Sequence, residues 1–345
     1  MRSENFTNNS DFSTSIELSP KLLIVRVLEA CNAGCFMCDF AWSKDTYRFS
    51  HNDAVSLVEQ IRGSEIKVIR LTGGEPLILS DIAEILSILK QEELLTSIIT
   101  NGFYLPEKIR ALSTGLLDHI ILSIDGSTAE KHDGFRRLPG LYKNICKGIR
   151  LLQKQSANTV VRVNTIVGIH NIKDLKQIYD NLCTLGVNQW SIIPLKQRDS
   201  TWRGLSFTQL SYEFESFKRH VIENPSSLKL LGHSLNWAGH TLEEVRKSWE
   251  EGRSMTPKRE CFLVDKVRYY IPKDGIVFPC NCVPHRKNDI ELSTEWSTDA
   301  VLTTGLKDSR TWLKQFGPSL CMGCEPINAA LGEGAIDLDS EPLSF

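Results

Sequence analysis

The chain has 345 residues, of which 41% are apolar and 24% are charged, and its formal net charge is -2. This length and composition are typical of a globular protein with one large and one smaller domain. The chain lacks the excess of basic residues that most nucleic-acid-binding proteins have. No apolar run approaches the roughly 20 residues of a bilayer-spanning helix, and the N-terminus lacks the apolar core of a secretory signal. We therefore expect a cytoplasmic protein without nucleic-acid or membrane partners.

The first ordered elements predict an α/β fold. Residues 1–20 are polar, which predicts an N-terminal tail. Residues 21–30 form an apolar, β-branched run typical of a buried strand. Strand-like runs then alternate with helix-like segments. The strand candidates are 21–30, 66–74, 97–100, 119–126, 160–168 and 190–195, and the main helix candidates are 52–63, 82–93, 141–155 and 172–186. This alternation predicts a parallel sheet covered by helices, curled into a partial (β/α)6 TIM-like barrel.

Four distinctive motifs follow the predicted strands. They are the cysteine-rich stretch EACNAGCFMCDF at 29–40, then GGEP, TNG and SIDG after later strands. In barrels of this kind the loops at the C-terminal ends of the strands carry the chemistry. We therefore expect the four motifs to share one rim.

The pattern changes after about residue 200. Residues 206–225 predict one amphipathic helix, and 267–280 predict a β-hairpin around Pro-Lys-Asp-Gly. Five of the ten cysteines lie in the last hundred residues. We divide the chain into a tail at 1–20, a barrel at 21–215 and a small C-terminal domain at 216–345.

Clustered cysteines in a cytoplasmic protein indicate metal or redox chemistry, because that compartment keeps thiols reduced. Cys31, Cys35 and Cys38 cannot by themselves complete a four-cysteine zinc site. They can hold three irons of a 4Fe–4S cluster and leave the fourth iron open for a small ligand. A structural zinc would need a fourth ligand from elsewhere, and simple packing is a further alternative.

Cys31-x3-Cys35-x2-Cys38 after one strand, with Thr72-Gly73-Gly74-Glu75-Pro76 after the next, resembles the radical S-adenosylmethionine (radical SAM) enzyme superfamily. The resemblance covers about residues 21 to 200. It implies that the open iron chelates S-adenosylmethionine and that one electron from the cluster cleaves this cofactor. The products are methionine and a 5′-deoxyadenosyl radical, which takes a hydrogen atom from the substrate. A flavodoxin- or ferredoxin-type protein is the implied reductant.

The resemblance also implies contacts to the cofactor. The strand edge at Thr72, Gly73, Gly74 and Glu75 would receive its amino group, with the glycines permitting close approach of the backbone. LSIDG at 122–126 followed by HDGFR at 132–136 is similar to the peptide- and sugar-modifying branch, where a serine and an arginine hold the ribose and carboxylate. The resemblance therefore implies that Ser123 contacts the ribose and that Arg136 contacts the carboxylate.

Several assignments around this rim stay open. Arg137 is as available as Arg136 for binding a carboxylate with two parallel hydrogen bonds. Asn164 sits where the branch often places a cofactor contact, but an asparagine near a strand end is as often a turn or cap residue. The same holds for Thr100 and Asn101. Histidines at 132 and 170 are candidates for proton transfer without an assigned role.

The C-terminal cysteines resemble those of the auxiliary-cluster domain called twitch, a shortened relative of the SPASM domain. Four of them would hold a second 4Fe–4S cluster without an open iron: Cys261, Cys280, Cys321 and Cys324. A four-thiolate zinc site has the same ligand set and is the alternative. Cys282 is left spare. Cys146 and Cys183 lie in helix-like segments and read as packing residues.

The resemblance implies that the auxiliary cluster accepts an electron while a sugar, cyclitol or nucleoside-sugar intermediate of antibiotic biosynthesis is oxidised or decarboxylated. Within that group the layout resembles the cytosylglucuronate decarboxylases. Two alternatives stay open. One is radical modification of a ribosomal peptide by a thioether or cross-link. The other is a zinc-stabilised binding protein without catalysis.

Overall fold

One sheet organises the structure, a computed structural model that describes residues 21–156, 158–194, 206–232, 243, 246–247 and 267–278. Its nine strands are β1 (Leu22–Leu28), β2 (Val68–Gly73), β3 (Leu95–Thr100), β4 (His119–Ser123), β5 (Val160–Val167), β6 (Gln189–Pro194), β7 (Lys229–Gly232), β8 (Val267–Ile271) and β9 (Ile276–Phe278). The spatial order is β7-β6-β5-β4-β3-β2-β1-β8-β9. Neighbouring strands are parallel except β8 and β9.

Helices cover one face of this sheet. They are α1 (His51–Ile61), α2 (Ile82–Gln91), α3 (Leu105–Leu112), α4 (Ala129–Arg136), α5 (Leu141–Gln155), α6 (Leu175–Thr184) and α7 (Phe207–Glu223). Each long helix buries side chains three or four positions apart, which is the spacing of one helical face. In α5 these are Leu141, Ile145, Ile149 and Leu152. Within the described part of the chain, no helix combines the length and apolarity needed to cross a bilayer.

The predicted fold class is confirmed: strand and helix alternate six times from β1 to α7 in an α/β fold with a mostly parallel sheet. Two helices were not predicted. Helix α4 has the sequence AEKHDGFR and buries only His132, so it lacks an apolar periodicity. Helix α3 is eight residues long and too short for its period to stand out.

The sheet continues beyond the barrel strands. Strand β7 pairs with β6, and β8 pairs with β1, both in parallel. The predicted hairpin is confirmed as β8 and β9, with Gly275 in the left-handed conformation at its turn (φ 64°). These strands lie after residue 215, where we predict the domain boundary, yet they share hydrogen bonds with the barrel sheet.

Arg26 fastens the β8–β9 hairpin to the barrel. Its Nε donates to the hydroxyl of Tyr269 at 3.2 Å, and its guanidinium lies 5.0 Å from the ring centroid of Phe40 and 5.5 Å from that of Tyr269. Glu29 accepts from Arg26 at 3.3 Å. Because Phe40 is the last residue of the cysteine-rich stretch, the hairpin and that stretch are packed around one buried cation.

Thr165 shows how neighbouring strands are locked. Its buried hydroxyl donates to the carbonyl of Ile124 at 2.6 Å and accepts from the indole nitrogen of Trp190 at 2.8 Å. We expect Thr165→Val to lower the free energy of unfolding by about 3 kcal/mol, because both partners would be buried without a hydrogen bond. Thr165→Ser keeps the hydroxyl and should cost about 1 kcal/mol for the lost methyl group. Urea titration compares the two, and equal stabilities would contradict this role.

Candidate active site

The three thiols of the cysteine-rich stretch lie in one loop, residues 29–38, which we call the thiol loop. It runs from the end of β1 to a short 3-10 helix at Asp39–Trp42. Cys35 is buried, Cys31 and Cys38 are partly exposed, and all three are free thiols. Short backbone contacts shape the loop: the amide of Cys38 donates to the carbonyl of Cys35 at 3.2 Å, and the amide of Ala33 contacts the sulfur of Cys31 at 3.5 Å.

The electrostatics of the thiol loop suit a cationic cluster. Burial raises the pKa of all three thiols, and neighbouring thiols contribute to the rise for Cys31, whose pKa reaches about 11, and for Cys38. Metal ligation requires thiolates. A bound cation would therefore compensate both the burial and the mutual repulsion of Cys31, Cys35 and Cys38.

A zinc ion and an iron–sulfur cluster place their thiolate ligands differently. Zinc holds four sulfurs at about 2.3 Å, so its ligands converge on one point, whereas an iron–sulfur cluster spreads its thiolates over several irons. Among the described residues, no three His, Cys, Asp or Glu side chains are placed to hold one metal ion.

Gly73 and Gly74 bring the end of β2 against the thiol loop. The amide of Gly74 donates to the carbonyl of Leu28, and that of Glu75 to the carbonyl of Ala30, both at 2.9 Å. A Cβ at Gly73 would lie 2.1 Å from the oxygen of Leu28, and one at Gly74 would lie 2.0 Å from the oxygen of Ala30. Gly73 also has φ 137°, which disfavours other residues. Only glycines permit this approach.

Glu75 ties the ends of β2 and β3 together. Its fully buried carboxylate accepts from the amide of Leu77 at 2.9 Å, the hydroxyl of Thr100 at 2.5 Å and the amide of Asn101 at 2.7 Å. Burial raises its pKa to about 7, although these donors stabilise the charged form. Both carboxylate oxygens are engaged by the protein.

Asn101 continues this connection to the thiol loop. Its Nδ2 donates to the side-chain oxygen of Asn32 at 2.7 Å and lies 4.0 Å from the sulfur of Cys31. Its Oδ1 accepts from the amide of Phe103 at 2.9 Å. The residue directly after β3 is therefore in contact with the thiol loop.

Helix α4 holds the other side of the thiol loop. Arg136 forms a partly buried ion pair with Asp125 through its Nε, and its carbonyl oxygen lies 3.6 Å from the sulfur of Cys35. Burial lowers the pKa of a guanidinium, but Asp125 and Cys35 outweigh that effect and hold the pKa of Arg136 above its usual value. Arg137 instead caps the helix in the left-handed conformation (φ 53°), and a Cβ added at Gly34 would lie 3.4 Å from the Cβ of Arg137.

Asp125 is a site residue that the sequence reasoning missed. Its second carboxylate oxygen accepts from the amide of Ile166 at 2.6 Å, and its own amide donates to Nδ1 of His132 at 3.0 Å. The available signal was an acidic residue directly after a predicted strand, in the SIDG motif. Asp125 thus links β5, α4 and the thiol loop.

Aromatic rings add to the contact between α4 and the thiol loop. Phe135 stacks on His170 with ring centroids 3.8 Å apart, and it meets Phe36 of the thiol loop edge-on at 5.0 Å. Burial lowers the pKa of His170 to about 4. His170 therefore packs against α4 as a neutral ring near neutral pH.

The remaining predicted cofactor contacts lie along the same rim. Thr72, Ser123 and Asn164 are partly buried near the C-terminal ends of β2, β4 and β5. Ser123 and Asn164 are register partners, and the side-chain oxygen of Asn164 accepts from Nε of Arg162 at 2.9 Å. Outside the described residues lie the predicted auxiliary ligands and the spare thiol: Cys261, Cys280, Cys321, Cys324 and Cys282.

Residues 25–182 match the family model described as the radical SAM superfamily. The chain is 28% identical over 280 residues to an AdoMet-dependent heme synthase of Methanosarcina barkeri, covering 77% of this chain and 78% of that protein. It is 31% identical over 183 residues to a probable GTP 3′,8-cyclase of Saccharolobus solfataricus, covering 50% of this chain and 56% of that protein. A second heme synthase, from Nitratidesulfovibrio vulgaris, is 28% identical to this chain. That alignment covers 51% of this chain and 48% of the heme synthase.

Two solved structures share the fold. SuiB of Streptococcus suis bound to S-adenosylmethionine superposes with a TM-score of 0.62 at 13% identity, over 90% of this chain and 71% of that chain. The enzyme anSMEcpe with bound AdoMet and a peptide gives a TM-score of 0.57 at 15% identity, over 92% and 93%. The predicted radical SAM fold is confirmed, and the resemblance to cytosylglucuronate decarboxylases stays a prediction.

The close packing of Gly74 generates a test of the thiol loop. We expect Gly74→Ala to lose most of the iron bound after anaerobic reconstitution, because the new methyl group would displace the loop at Ala30. Gly134→Ala is the matched control, since a Cβ there meets no atom within 4 Å. Iron analysis of both variants decides the matter, and equal iron content would contradict the role of Gly74.

His132 gives the site a pH dependence. Burial lowers its pKa to about 4, so the unfolded chain, with an ordinary value of about 6.5, takes up the proton first as the pH falls. The stability that neutral His132 contributes above pH 6.5 is thus lost between pH 6.5 and 4. From pH 7 to pH 5 the free energy of unfolding should fall by about 2 kcal/mol more in the wild type than in His132→Asn.

His132→Asn keeps an acceptor for the amide of Asp125 but does not titrate. Denaturant titrations at the two pH values measure the difference, with His51→Asn at the start of α1 as the control. The same pH dependence in wild type and His132→Asn would show that His132 is not the titrating group.

Proposed function

Since residues 25–182 of this chain form a radical SAM domain, we propose that Cys31, Cys35 and Cys38 hold a 4Fe–4S cluster with one open iron. The packing of the thiol loop supports this most directly: the glycine backbone of β2 holds one side and α4 the other. When bound, the cluster supplies the electron that splits S-adenosylmethionine into methionine and a 5′-deoxyadenosyl radical.

The rim residues would bind and orient S-adenosylmethionine. Asp125 accepts a hydrogen bond from Nε of Arg136. We therefore assign the two terminal guanidinium nitrogens of Arg136 to the carboxylate of the cofactor. The backbone at Thr72, Gly73 and Gly74 would receive the amino group, and Ser123 and Asn164 the ribose. Because the Glu75 carboxylate is already satisfied by three donors, we assign it the task of positioning this backbone rather than contacting the cofactor.

We further propose that the substrate is a sugar, cyclitol or nucleoside-sugar intermediate of natural-product biosynthesis. Hydrogen abstraction would leave a carbon radical. Loss of one electron and of the hydroxyl proton would turn an alcohol at that carbon into a ketone, whereas loss of one electron and of carbon dioxide from a carboxylate on the neighbouring carbon would leave a carbon–carbon double bond. An auxiliary 4Fe–4S cluster on the C-terminal cysteines at 261, 280, 321 and 324 would accept that electron. The hairpin β8–β9 pairs with the barrel sheet through β1, and its second strand ends at Phe278, two positions before Cys280 in the sequence.

The alignment with a heme synthase favours a second candidate. It spans 280 residues and so extends beyond the 158 residues of the radical SAM domain. A substrate related to that of heme synthesis is therefore the other small molecule to test. Incubating the enzyme with each class of compound and S-adenosylmethionine, then analysing products by mass spectrometry, separates the two.

Cysteine variants test the cluster assignments. Wild type should contain about eight irons per chain after anaerobic reconstitution, and Cys35→Ala or Cys321→Ala about four each. With reductant and S-adenosylmethionine, Cys35→Ala should form no 5′-deoxyadenosine, because the cofactor-binding cluster is lost. Cys321→Ala should still form it, because the first cluster remains.

Cys183→Ala is the control, since the Cys183 sulfur lies 3.2 Å from the hydroxyl of Ser226 on the outer side of the barrel. It should retain about eight irons and form 5′-deoxyadenosine. Formation of 5′-deoxyadenosine by Cys35→Ala would contradict the first assignment. A wild-type protein with zinc and about four irons would contradict the second.

A further inference from the structure

Two asparagine side chains lie beside Cys31. Asn32 follows it in the thiol loop, and Asn101 is the residue directly after β3, which ends at Thr100. Nδ2 of Asn101 donates to the side-chain oxygen of Asn32 at 2.7 Å. The two amides therefore form one hydrogen-bonded pair between the end of β3 and the thiol loop.

Hydrogen bonds fix which atom of the Asn101 amide faces this loop. Its Oδ1 accepts from the backbone amide of Phe103 at 2.9 Å, and its own backbone amide donates to the carboxylate of Glu75 at 2.7 Å. Exchanging the oxygen and nitrogen positions would place Nδ2 against the amide of Phe103, two donors facing each other. Nδ2 of Asn101 therefore faces Asn32 and Cys31.

The sulfur of Cys31 lies within reach of two N–H groups. An amide nitrogen carries two hydrogens, so Nδ2 of Asn101 has one left after its bond to Asn32. The Cys31 sulfur lies 4.0 Å from this nitrogen and 3.5 Å from the backbone amide of Ala33. The Ala33 amide lowers the pKa of Cys31, against the larger effect of burial. Donors of this kind stabilise a thiolate more than a thiol.

The amide nitrogen of Asn32 is a further donor at the same place. Its Nδ2 has almost no exposed surface and makes no hydrogen bond to any described residue, while its oxygen accepts from Asn101. Leaving a buried donor without an acceptor costs free energy, so such an atom requires an explanation. The thiolates and sulfides of an iron–sulfur cluster at this loop would be acceptors.

The charge of such a cluster gives these donors an effect on its redox chemistry. Three thiolates outweigh the positive charge of an oxidised 4Fe–4S core, so the site is anionic, and one further electron makes it more so. Hydrogen bonds to the cluster sulfurs stabilise the reduced form more than the oxidised form. They are among the factors that set the reduction potential of an iron–sulfur cluster.

We propose that the Nδ2 atoms of Asn32 and Asn101 donate hydrogen bonds to the sulfurs of the cluster around Cys31 and so raise its reduction potential. This inference rests on the proposed function, because it requires a cluster on Cys31, Cys35 and Cys38. The pair makes the cluster easier to reduce by one electron from an external reductant. Asn101 also holds Asn32 in place, since its amide is anchored at Phe103.

A redox titration of the anaerobically reconstituted enzyme, followed by electron paramagnetic resonance, tests the pair. The signal followed is the one that changes when S-adenosylmethionine is added, which identifies the cluster at the thiol loop. At a fixed solution potential, Asn101→Leu should lower the ratio of reduced to oxidised cluster about tenfold, the effect of one hydrogen bond to a charged group. Tenfold corresponds to about 59 mV for a one-electron couple. Asn32→Leu should shift the ratio in the same direction.

Asn144→Leu is the matched control. Nδ2 of Asn144 donates to the carbonyl of Phe103 at 3.1 Å, so this variant alters the same turn after β3 without removing a donor near a thiol. Its reduction potential should equal that of the wild type. Iron content is measured on every variant, and it should stay at the wild-type value. Should Asn101→Leu lose its iron, Asn32→Leu carries the test, because Asn32 is partly exposed.

A leucine variant that keeps its iron and the wild-type potential overturns the role of the residue it replaces. An equal shift in Asn144→Leu, or loss of iron from both Asn101→Leu and Asn32→Leu, overturns the proposal in favour of a structural role. A wild-type protein without a signal that responds to S-adenosylmethionine overturns the proposed function and this inference with it. A responsive wild-type signal with unchanged variants overturns this inference alone.

Discussion

The continuation of the β1–β2 ladder into the thiol loop is the constraint on which the site depends. The amides of Gly74 and Glu75 reach the carbonyls of Leu28 and Ala30 only because no Cβ intervenes at either glycine. Cys31 is the next residue along the loop, so its position is set by strand pairing rather than by its own side chain. Glu75 then locks this edge to β3 through Thr100 and Asn101. A carboxylate that costs free energy to bury is retained because three donors converge on it.

Different parts of the barrel provide stability and carry the candidate site. The outer face is an apolar core under the helices, and the rim carries the thiol loop, Arg136 and Asp125. Helix α4 contributes little to the core, since His132 is its only buried residue. Its task is to place Arg136, Phe135 and the carbonyl beside Cys35.

The local parts of this arrangement were predictable from the sequence. Three thiols spaced four and three residues apart, and a Gly-Gly-Glu-Pro turn after a buried strand, are short patterns that need no tertiary information. The pairing of β8 with β1 was not predictable in this way, because Arg26 and Tyr269 are 243 residues apart and no periodicity indicates which edge a hairpin joins. Nor was the role of Glu75 or Asp125, since burial and the donors around a carboxylate appear only when several strand ends meet. The auxiliary cluster lies outside the described residues and stays a prediction.

We propose that one iron held at the thiol loop keeps a coordination position for S-adenosylmethionine. Electron paramagnetic resonance of the anaerobic, chemically reduced enzyme, recorded before and after addition of S-adenosylmethionine, tests it most directly. We expect a reduced iron–sulfur signal whose g-values shift when the cofactor is added. A spectrum that does not respond to S-adenosylmethionine, or shows no iron–sulfur signal at all, would contradict it.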